Sequence, residues 1–92
     1  MKRDLNYSPD FIRAAKRFRK KHPPSTELER VLEMLHLDAF DPRLKTHKLG
    51  GKMAESWSCS AGYDLRVIFS FAIRNKKEAI LLESMGTHDE VY

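Results

Sequence analysis

The sequence predicts an α+β domain in which two antiparallel helices pack on one face of a twisted antiparallel sheet. Two observations predict this class. Between residues 8 and 41, apolar side chains recur at helical spacing in two stretches. From residue 57 onward, apolar and polar residues alternate, which is typical of strands with one buried face. The 92 residues form a single domain, 1–92, because a chain of this size supports one modest core.

The composition restricts the class of protein to which this chain can belong. Hydrophobic residues make up 41% and charged residues 33%, the balance of a soluble globular domain. No stretch approaches the roughly 18 apolar residues of a membrane helix, and the first residues lack the apolar segment of a secretion signal. We therefore expect a cytoplasmic protein without a membrane partner. Cys59 is the only cysteine, and the histidines show no metal-ligand spacing, so we expect no disulfide, no metal and no other cofactor.

The net charge of +4 is unevenly distributed along the chain. Residues 1–24 carry eight Lys or Arg and two Asp, and residues 42–52 carry four basic residues and no acid. A basic domain this small favours a polyanionic partner, either nucleic acid or an acidic protein. The alternative is a solvated helix face with a lysine-rich surface, and charge alone does not decide between the two.

The helical half begins after a short segment, Asp4 to Tyr7, that fits an edge strand. The first helix is predicted to start at Ser8-Pro9-Asp10. Ser8 can cap the helix N-terminus, Pro9 fits the first helical position, and the negative charge of Asp10 is favourable near the positive end of the helix dipole. Its predicted apolar face consists of Phe11, Ile12, Ala15 and Phe18. Pro23-Pro24 end this helix, and a capping box from Thr26 to Glu29 starts the second. The apolar face of the second helix consists of Leu28, Val31, Leu32 and Leu35.

Three predicted strands follow, within residues 57–60, 65–73 and 79–82. Ala61-Gly62 predicts a tight turn, and Arg74 to Lys77 a longer one. If Ser60 pairs with Tyr63, Trp57 lies opposite Arg66, and if Ile73 pairs with about Glu78, Arg66 lies near Met85. Tyr63-Asp64 then lies near Thr87-His88. Three side chains with useful chemistry are therefore expected to converge at one end of the central strands: Asp64, Arg66 and His88.

Two segments outside these strands carry candidate site residues. After the last strand, His88 suits proton transfer near neutral pH, and Tyr92 can stack on a base or donate a proton. The alternative is a capped chain end with Tyr92 packed on the sheet. Before the strands, His47 precedes Gly50-Gly51 in a lysine-containing loop that can approach a phosphate closely. The alternative there is a hairpin turn with solvated lysines.

Within the strands, Arg66 stands in an otherwise apolar run. Its guanidinium can clamp a phosphate, or it forms a salt bridge to Asp64 or to a glutamate. Asp64 either orients a histidine or ends a turn. Trp57 either stacks on a base or belongs to the core, and Cys59 is assigned to the core.

Taken in order, the motifs resemble those of a known family. They are His47-Lys48-Leu49-x-Gly51, Trp57-Ser58, Gly62-Tyr63-Asp64-Leu65-Arg66-Val67-Ile68-Phe69 and Gly86-Thr87-His88-x-x-x-Tyr92. This set resembles the RelE/ParE superfamily of bacterial type II toxins, and most closely its YafQ-like mRNA interferase branch. The resemblance covers nearly the whole chain. It implies a β-α-α-β-β-β fold, which agrees with the order of elements obtained from periodicity.

The resemblance also implies a function. By this resemblance, the protein is expected to be the toxin of a type II toxin–antitoxin system. Its expected activity is that of a metal-independent endoribonuclease that cuts mRNA in the ribosomal A site through the substrate 2′-OH. The implied partners are a cognate antitoxin, mRNA and ribosomal RNA. Carried over by position, the implied catalytic set is His47, Asp64, Arg66, His88 and Tyr92. The basic residues expected to contact RNA are Arg43, Lys45, Lys48, Lys52, Lys16 and Lys20.

The chain departs from the YafQ-like pattern at one place. Members of that branch carry another histidine between the first His and the aspartate, whereas the corresponding segment here is Ser58-Cys59-Ser60. The lysines that RelE-like relatives use there are also missing. We assign His88 as the acid and His47 as the base, and the two roles are exchangeable. Two other classes stay open, a ParE-like toxin that inhibits a topoisomerase and a non-catalytic basic binding module.

Overall fold

The structure is a computed structural model that describes residues 1–21, 27–61 and 64–92. In chain order its elements are strand β1 (Asp4–Tyr7), helices α1 (Pro9–Lys21) and α2 (Glu27–Leu37), strands β2 (His47–Lys48), β3 (Trp57–Ala61), β4 (Leu65–Arg74) and β5 (Lys77–Gly86), and helix α3 (His88–Val91). Short 3₁₀ turns, Pro42–Leu44 and Gly51–Met53, flank β2. No helix among the described residues is long and apolar enough to cross a membrane.

The five strands form one sheet in the order β1-β5-β4-β3-β2. β1 runs parallel to β5, and the other neighbours are antiparallel. The predicted α+β class is therefore confirmed, and so is the edge position of β1. The two-residue β2 and the four-residue α3 were not predicted, because elements this short show no periodicity.

The helices begin and pack largely as their sequences predict. Ser8 caps α1, since its Oγ accepts a hydrogen bond from the Phe11 backbone N–H at 3.1 Å. The predicted ends at Pro23-Pro24 and at Thr26 lie outside the described residues. The expected burial of Ile12 is wrong, because this side chain is 45% exposed and the buried residues of α1 are Phe11, Ala14 and Ala15. Ile12 lies at the border of the apolar stripe, which Ala14 completes.

The core lies between the helices and one face of the sheet. α2 contributes Leu28, Val31 and Leu35, with Leu32 partly buried, as predicted. The sheet contributes mainly Cys59, Val67, Phe69, Ile80 and Leu82. Burial raises the pKa of the Cys59 thiol to about 12, which fits its assignment to the core. Trp57 also belongs to this side, since it packs edge-on against Phe71 with ring centroids 5.4 Å apart.

Two details of strand pairing differ from the prediction. Trp57 pairs with Phe69 and not with Arg66, which pairs with Ser60. The predicted tight turn is too short, because Ala61 pairs with Leu65; Gly62 and Tyr63 themselves lie outside the described residues.

The predicted pairing of Ile73 with Glu78 is confirmed, although the connection between β4 and β5 is shorter than the predicted turn from Arg74 to Lys77. Arg74 pairs with Lys77, which leaves a two-residue turn with φ of 51° at Asn75 and 64° at Lys76. A register shift between Ile68 and Phe69 then places Arg66 opposite Gly86 and not Met85.

Candidate functional site

The candidate site lies on the face of the sheet that α1 and α2 do not cover. Directly paired residues of antiparallel strands share a face, and neighbours along a strand alternate. Because Trp57, Cys59 and Val67 contact the core, the alternate residues point to the other side of the sheet. We call this other side the open face. Its central residues are Ser58, Ser60, Arg66, Ile68 and, on β2, His47, which pairs with Ser58. Ser56, one residue before β3, continues the same alternation and bonds to Glu83 of β5.

The end of the chain folds back onto the open face. The hydroxyl of Tyr92 forms a hydrogen bond with Ser58 Oγ, and Ser58 is 0% exposed. The Tyr92 ring also meets the ring of His88 edge-on, with centroids 4.7 Å apart. Tyr92 keeps 47% of its surface exposed. The predicted alternative of a tyrosine packed on the sheet is thus realised, and it leaves a ring surface available for stacking.

The start of α3 is fixed by several hydrogen bonds. Asp64 Oδ1 accepts from the His88 backbone N–H at 3.3 Å. Thr87 and Glu90 form a capping box, in which the Thr87 N–H donates to Glu90 Oε1 at 2.8 Å. Hydrogen bonds from Thr87 lower the pKa of the Glu90 carboxyl, and the charges of Lys21 and Arg17 add to this. Lys21 Nζ of α1 lies 4.0 Å from Glu90 Oε2 in an exposed ion pair.

The predicted proximity of Asp64 and His88 is present, but the contact differs in kind. Asp64 binds the backbone N–H of His88, so it positions the first turn of α3 and does not touch the imidazole. The ring Nδ1 of His88 instead lies 3.5 Å from Asp89 Oδ1. The His88 side chain is 60% exposed, which leaves it accessible to a substrate on the open face.

Arg66 is half-buried on β4, between Ser60 and Gly86 of the neighbouring strands. Its Nη1 donates to the Leu65 backbone carbonyl at 3.2 Å. Within the described ranges no carboxylate forms an ion pair with Arg66, so the predicted salt bridge to Asp64 or to a glutamate is not found there. A guanidinium with most of its N–H donors free is suited to binding an anion such as phosphate.

His47 is exposed on β2, and its Nδ1 lies 3.0 Å from the backbone carbonyl of Lys45. A carbonyl oxygen only accepts, so Nδ1 is the donor in this contact. In the neutral ring, Nε2 then carries a lone pair and can take up a proton. The hydrogen bond therefore selects the tautomer that a general base needs.

The basic residues predicted to contact RNA are not gathered in one patch. Lys48 pairs with Trp57 and lies on the opposite face of β2 from His47. Arg43 donates to both carboxylate oxygens of Asp41, at 3.0 and 2.7 Å. These hydrogen bonds lower the Asp41 pKa to about 2, so the pair stays charged. Four other side chains are exposed and free of a described ion pair: Lys45, Lys52, Lys16 and Lys20.

Two residues of the open face were not singled out from the sequence. Ser58 holds Tyr92, and Glu83 on β5 accepts a hydrogen bond from Ser56 Oγ at 2.7 Å. The alternation of Ser56, Ser58 and Ser60 with apolar residues was the available signal. In the part of the chain that the structure describes, no group of three or more His, Cys, Asp or Glu side chains is arranged to hold a metal ion.

Comparisons with known proteins show which family and which solved structures this chain is similar to. The sequence of residues 3–92 matches the family model of YafQ, the bacterial toxin of a type II toxin–antitoxin system. A search of curated proteins finds no match. The fold is similar to that of YafQ from E. coli strain BL21(DE3), with a TM-score of 0.79, 21% identity and 98% of each chain covered.

Two further solved structures share the fold. YafQ in the E. coli DinJ-YafQ toxin-antitoxin complex has a TM-score of 0.76 at 21% identity, with 100% of this chain and 99% of that chain covered. A metal-bound toxin from Helicobacter pylori has a TM-score of 0.75 at 22% identity, with both chains covered completely. Because the family model spans nearly the whole sequence, the chain belongs to the YafQ family of bacterial type II toxins.

Proposed function

We propose that this toxin is a ribosome-dependent mRNA endoribonuclease that cleaves without a metal ion and is neutralised by a cognate antitoxin. One observation carries the proposal. His47 and Arg66 lie on the open face, Arg66 has no carboxylate partner among the described residues, and the exposed Tyr92 ring anchored to this face contacts His88. These are the groups that phosphodiester cleavage through a 2′-OH requires.

In the proposed reaction, the 2′-oxygen attacks the neighbouring phosphorus as its proton passes to Nε2 of His47. The bond from phosphorus to the 5′-oxygen then breaks, and His88 gives a proton to that leaving oxygen. The products are a 2′,3′-cyclic phosphate and a 5′-hydroxyl end. Each positioned acid or base contributes typically about 10²–10⁴-fold to such a rate.

Arg66 binds the phosphate and stabilises the charge that develops on it. Preorganised cations at developing charge are often the largest contribution to catalysis. Tyr92 stacks on a base of the substrate, with its ring fixed by Ser58 and His88. Asp64 holds the backbone at the start of α3 and thereby sets the position of His88.

The exposed basic residues of the chain indicate the kind of partner that it would bind. The exposed lysines Lys16 and Lys20 on α1, together with Lys45 and Lys52, would contact ribosomal RNA or an acidic antitoxin. E. coli YafQ has been solved in complex with DinJ, its antitoxin, and an antitoxin for this chain is proposed on that likeness. Binding dominated by phosphates would weaken steeply as salt rises.

The test is expression of the chain in a bacterial host with mapping of cuts in a reporter mRNA. We expect growth arrest and in-frame cuts that vanish in His88→Ala and fall strongly in Arg66→Gln. Arg74→Gln serves as the control, because it changes an exposed arginine of the same strand as Arg66. It should cut normally.

Three results would contradict the proposal. Growth arrest with intact mRNA would point to topoisomerase inhibition, and no arrest would point to a binding module. Loss of cutting on ribosome-bound mRNA when only the toxin has been treated with a chelator, with the Mg²⁺ of the ribosomes left in place, and its return on adding a metal ion back to the toxin, would contradict metal independence.

A further inference from the structure

Glu83 lies in β5 at the register shift between β4 and β5. Ile68 pairs with Ser84 and Phe69 pairs with Leu82, so Glu83 is an extra residue between two pairs. Bulges re-aim side chains and occur often beside active sites. The Glu83 backbone carbonyl accepts a hydrogen bond from Ser8 Oγ at 3.0 Å. Because Ser8 also caps α1, the bulge is anchored to the start of that helix.

The Glu83 side chain crosses β4 on the open face. Ser56 precedes β3 and Glu83 lies on β5, so the hydrogen bond between them spans β4. Phe69, which is 0% exposed, fills the helix-covered side of β4 at this level. The carboxylate therefore passes over the open face, where Ser56 holds it.

This carboxylate lies close to the residues of the proposed reaction. Ser56 immediately precedes β3 and is two residues from Ser58, so the Cα atoms of the two serines are no more than about 7 Å apart. Ser56 holds Glu83 and Ser58 holds the Tyr92 hydroxyl, so the two groups are fixed at neighbouring points of the chain. Among the described residues, only the Ser56 hydroxyl donates to the Glu83 side chain, which leaves acceptor positions free on both carboxylate oxygens.

A carboxylate is unsuited to phosphate, because two negative charges repel. It accepts hydrogen bonds and donates none, so it suits a partner with N–H groups. Guanine presents two adjacent donors, N1–H and the N2 amino group, on its Watson–Crick edge. Adenine and cytosine present one amino group beside a ring acceptor, and uracil presents one N–H between two carbonyls. A free carboxylate therefore discriminates in favour of guanine.

We propose that Glu83 is a specificity-determining residue that reads a guanine of the mRNA close to the cleavage site. This inference rests on the proposed nuclease function. The guanine lies beside the Tyr92 ring, and its two donors bind the Glu83 carboxylate while Ser56 keeps that carboxylate in place.

The test compares cut positions for wild type and Glu83→Gln on a reporter mRNA library with randomised codons. Glutamine keeps the shape, and its carbonyl still accepts from Ser56, but it presents one donor and one acceptor, the pattern that suits adenine. We expect wild type to favour guanine at one position near the cut by about 5- to 100-fold, the range of one good bidentate base contact. In Glu83→Gln that preference should fall and adenine should gain.

The controls separate base reading from a structural role. Glu55→Gln changes an exposed glutamate next to Ser56 and should leave the cut pattern unchanged. Thermal melting checks that Glu83→Gln is folded. If it does not fold, Ser56→Ala, which only releases the carboxylate, should still reduce the guanine preference.

The outcomes distinguish this inference from the proposed function. Cutting by wild type without guanine enrichment, or an unchanged pattern in folded Glu83→Gln, would overturn guanine reading alone. Complete loss of cutting in folded Glu83→Gln would also overturn it, because the carboxylate would then act in the chemistry. No cutting by wild type would refute the nuclease function, and guanine reading with it.

Discussion

The hydrogen bond between Ser58 and Tyr92 predicts unequal effects when its two partners are removed. Ser58 is 0% exposed, whereas Tyr92 is 47% exposed. Tyr92→Phe leaves a buried hydroxyl without a partner, which costs about 1–3 kcal/mol. Ser58→Ala leaves the unpaired hydroxyl on a residue that is 47% exposed, so the loss should stay near the net value of one hydrogen bond, about 0.5–1.5 kcal/mol. We therefore expect Tyr92→Phe to destabilise the protein more than Ser58→Ala.

The double variant completes the argument. Removing both hydroxyls leaves no unpaired buried group, so its loss should be smaller than the sum of the single losses, with a coupling energy of about 1 kcal/mol. Thermal unfolding of the four proteins measures this, because 1 kcal/mol shifts the Tm of a domain of this size by about 4–8 °C. The proposed nuclease activity should fall in both single variants, since each removes the hydrogen bond that anchors the Tyr92 ring.

A matched control is available in Tyr7, which is 50% exposed and contacts Phe11 through its ring. Tyr7→Phe should change stability by less than about 0.5 kcal/mol. The reasoning is refuted if Ser58→Ala is the more damaging change. It is also refuted if the stability loss of the double variant equals the sum of the Ser58→Ala and Tyr92→Phe losses to within about 0.3 kcal/mol, because independent sites behave in that way.

Three further predictions concern Cys59, Glu90 and Gly86. The Cys59 thiol, with its pKa raised to about 12, should resist alkylation at pH 8 in the native protein and react after unfolding in urea. Because the pKa of Glu90 is lowered in the folded protein, the ionised carboxylate stabilises the fold above its ordinary pKa of about 4.5, and this stabilisation is lost as the pH falls through the folded pKa. The Tm measured against pH should show this loss. In Glu90→Gln this part of the pH dependence should be absent. Gly86→Ala should loosen α3, because the new Cβ would lie 3.0 Å from Glu90 Cβ; amide hydrogen exchange of residues 87–92 should become faster.

Local signals in the sequence were sufficient to predict the helices and the order of the main strands. The Ser8 cap and the apolar spacing of α2 involve residues within a few positions of each other, so the sequence shows them directly. Strand register was harder to predict, because it depends on the exact length of each turn. Asn75-Lys76 form a two-residue turn with positive φ, a conformation that lysine seldom adopts, so the sequence did not indicate it.

The candidate site was partly predictable for a related reason. The closeness of Asp64 and His88 follows from strand order alone and tolerates a register error of one residue. The bonds from Ser58 to Tyr92 and from Ser56 to Glu83 join residues 34 and 27 positions apart. Serines that alternate with apolar residues read as ordinary outward-facing strand positions, so nothing local distinguishes a serine with such a partner. The bulge at Glu83 likewise requires knowledge of both strands.

The separation of the two faces of the sheet determines how variants of this toxin can be interpreted. His47 and His88 are exposed, and substitutions at such positions usually change stability by less than about 0.5 kcal/mol. A loss of the proposed RNA cleavage in a His47 variant can therefore be assigned to the reaction, whereas a His88 variant also loses the ring contact with Tyr92 and needs its own measurement of stability. Ser58 and Ile68 lie on the same open face but are buried, at 0% and 2% exposure. An activity loss there must first be compared with a measured loss of stability, because burial makes these two residues part of the fold as well as of the site.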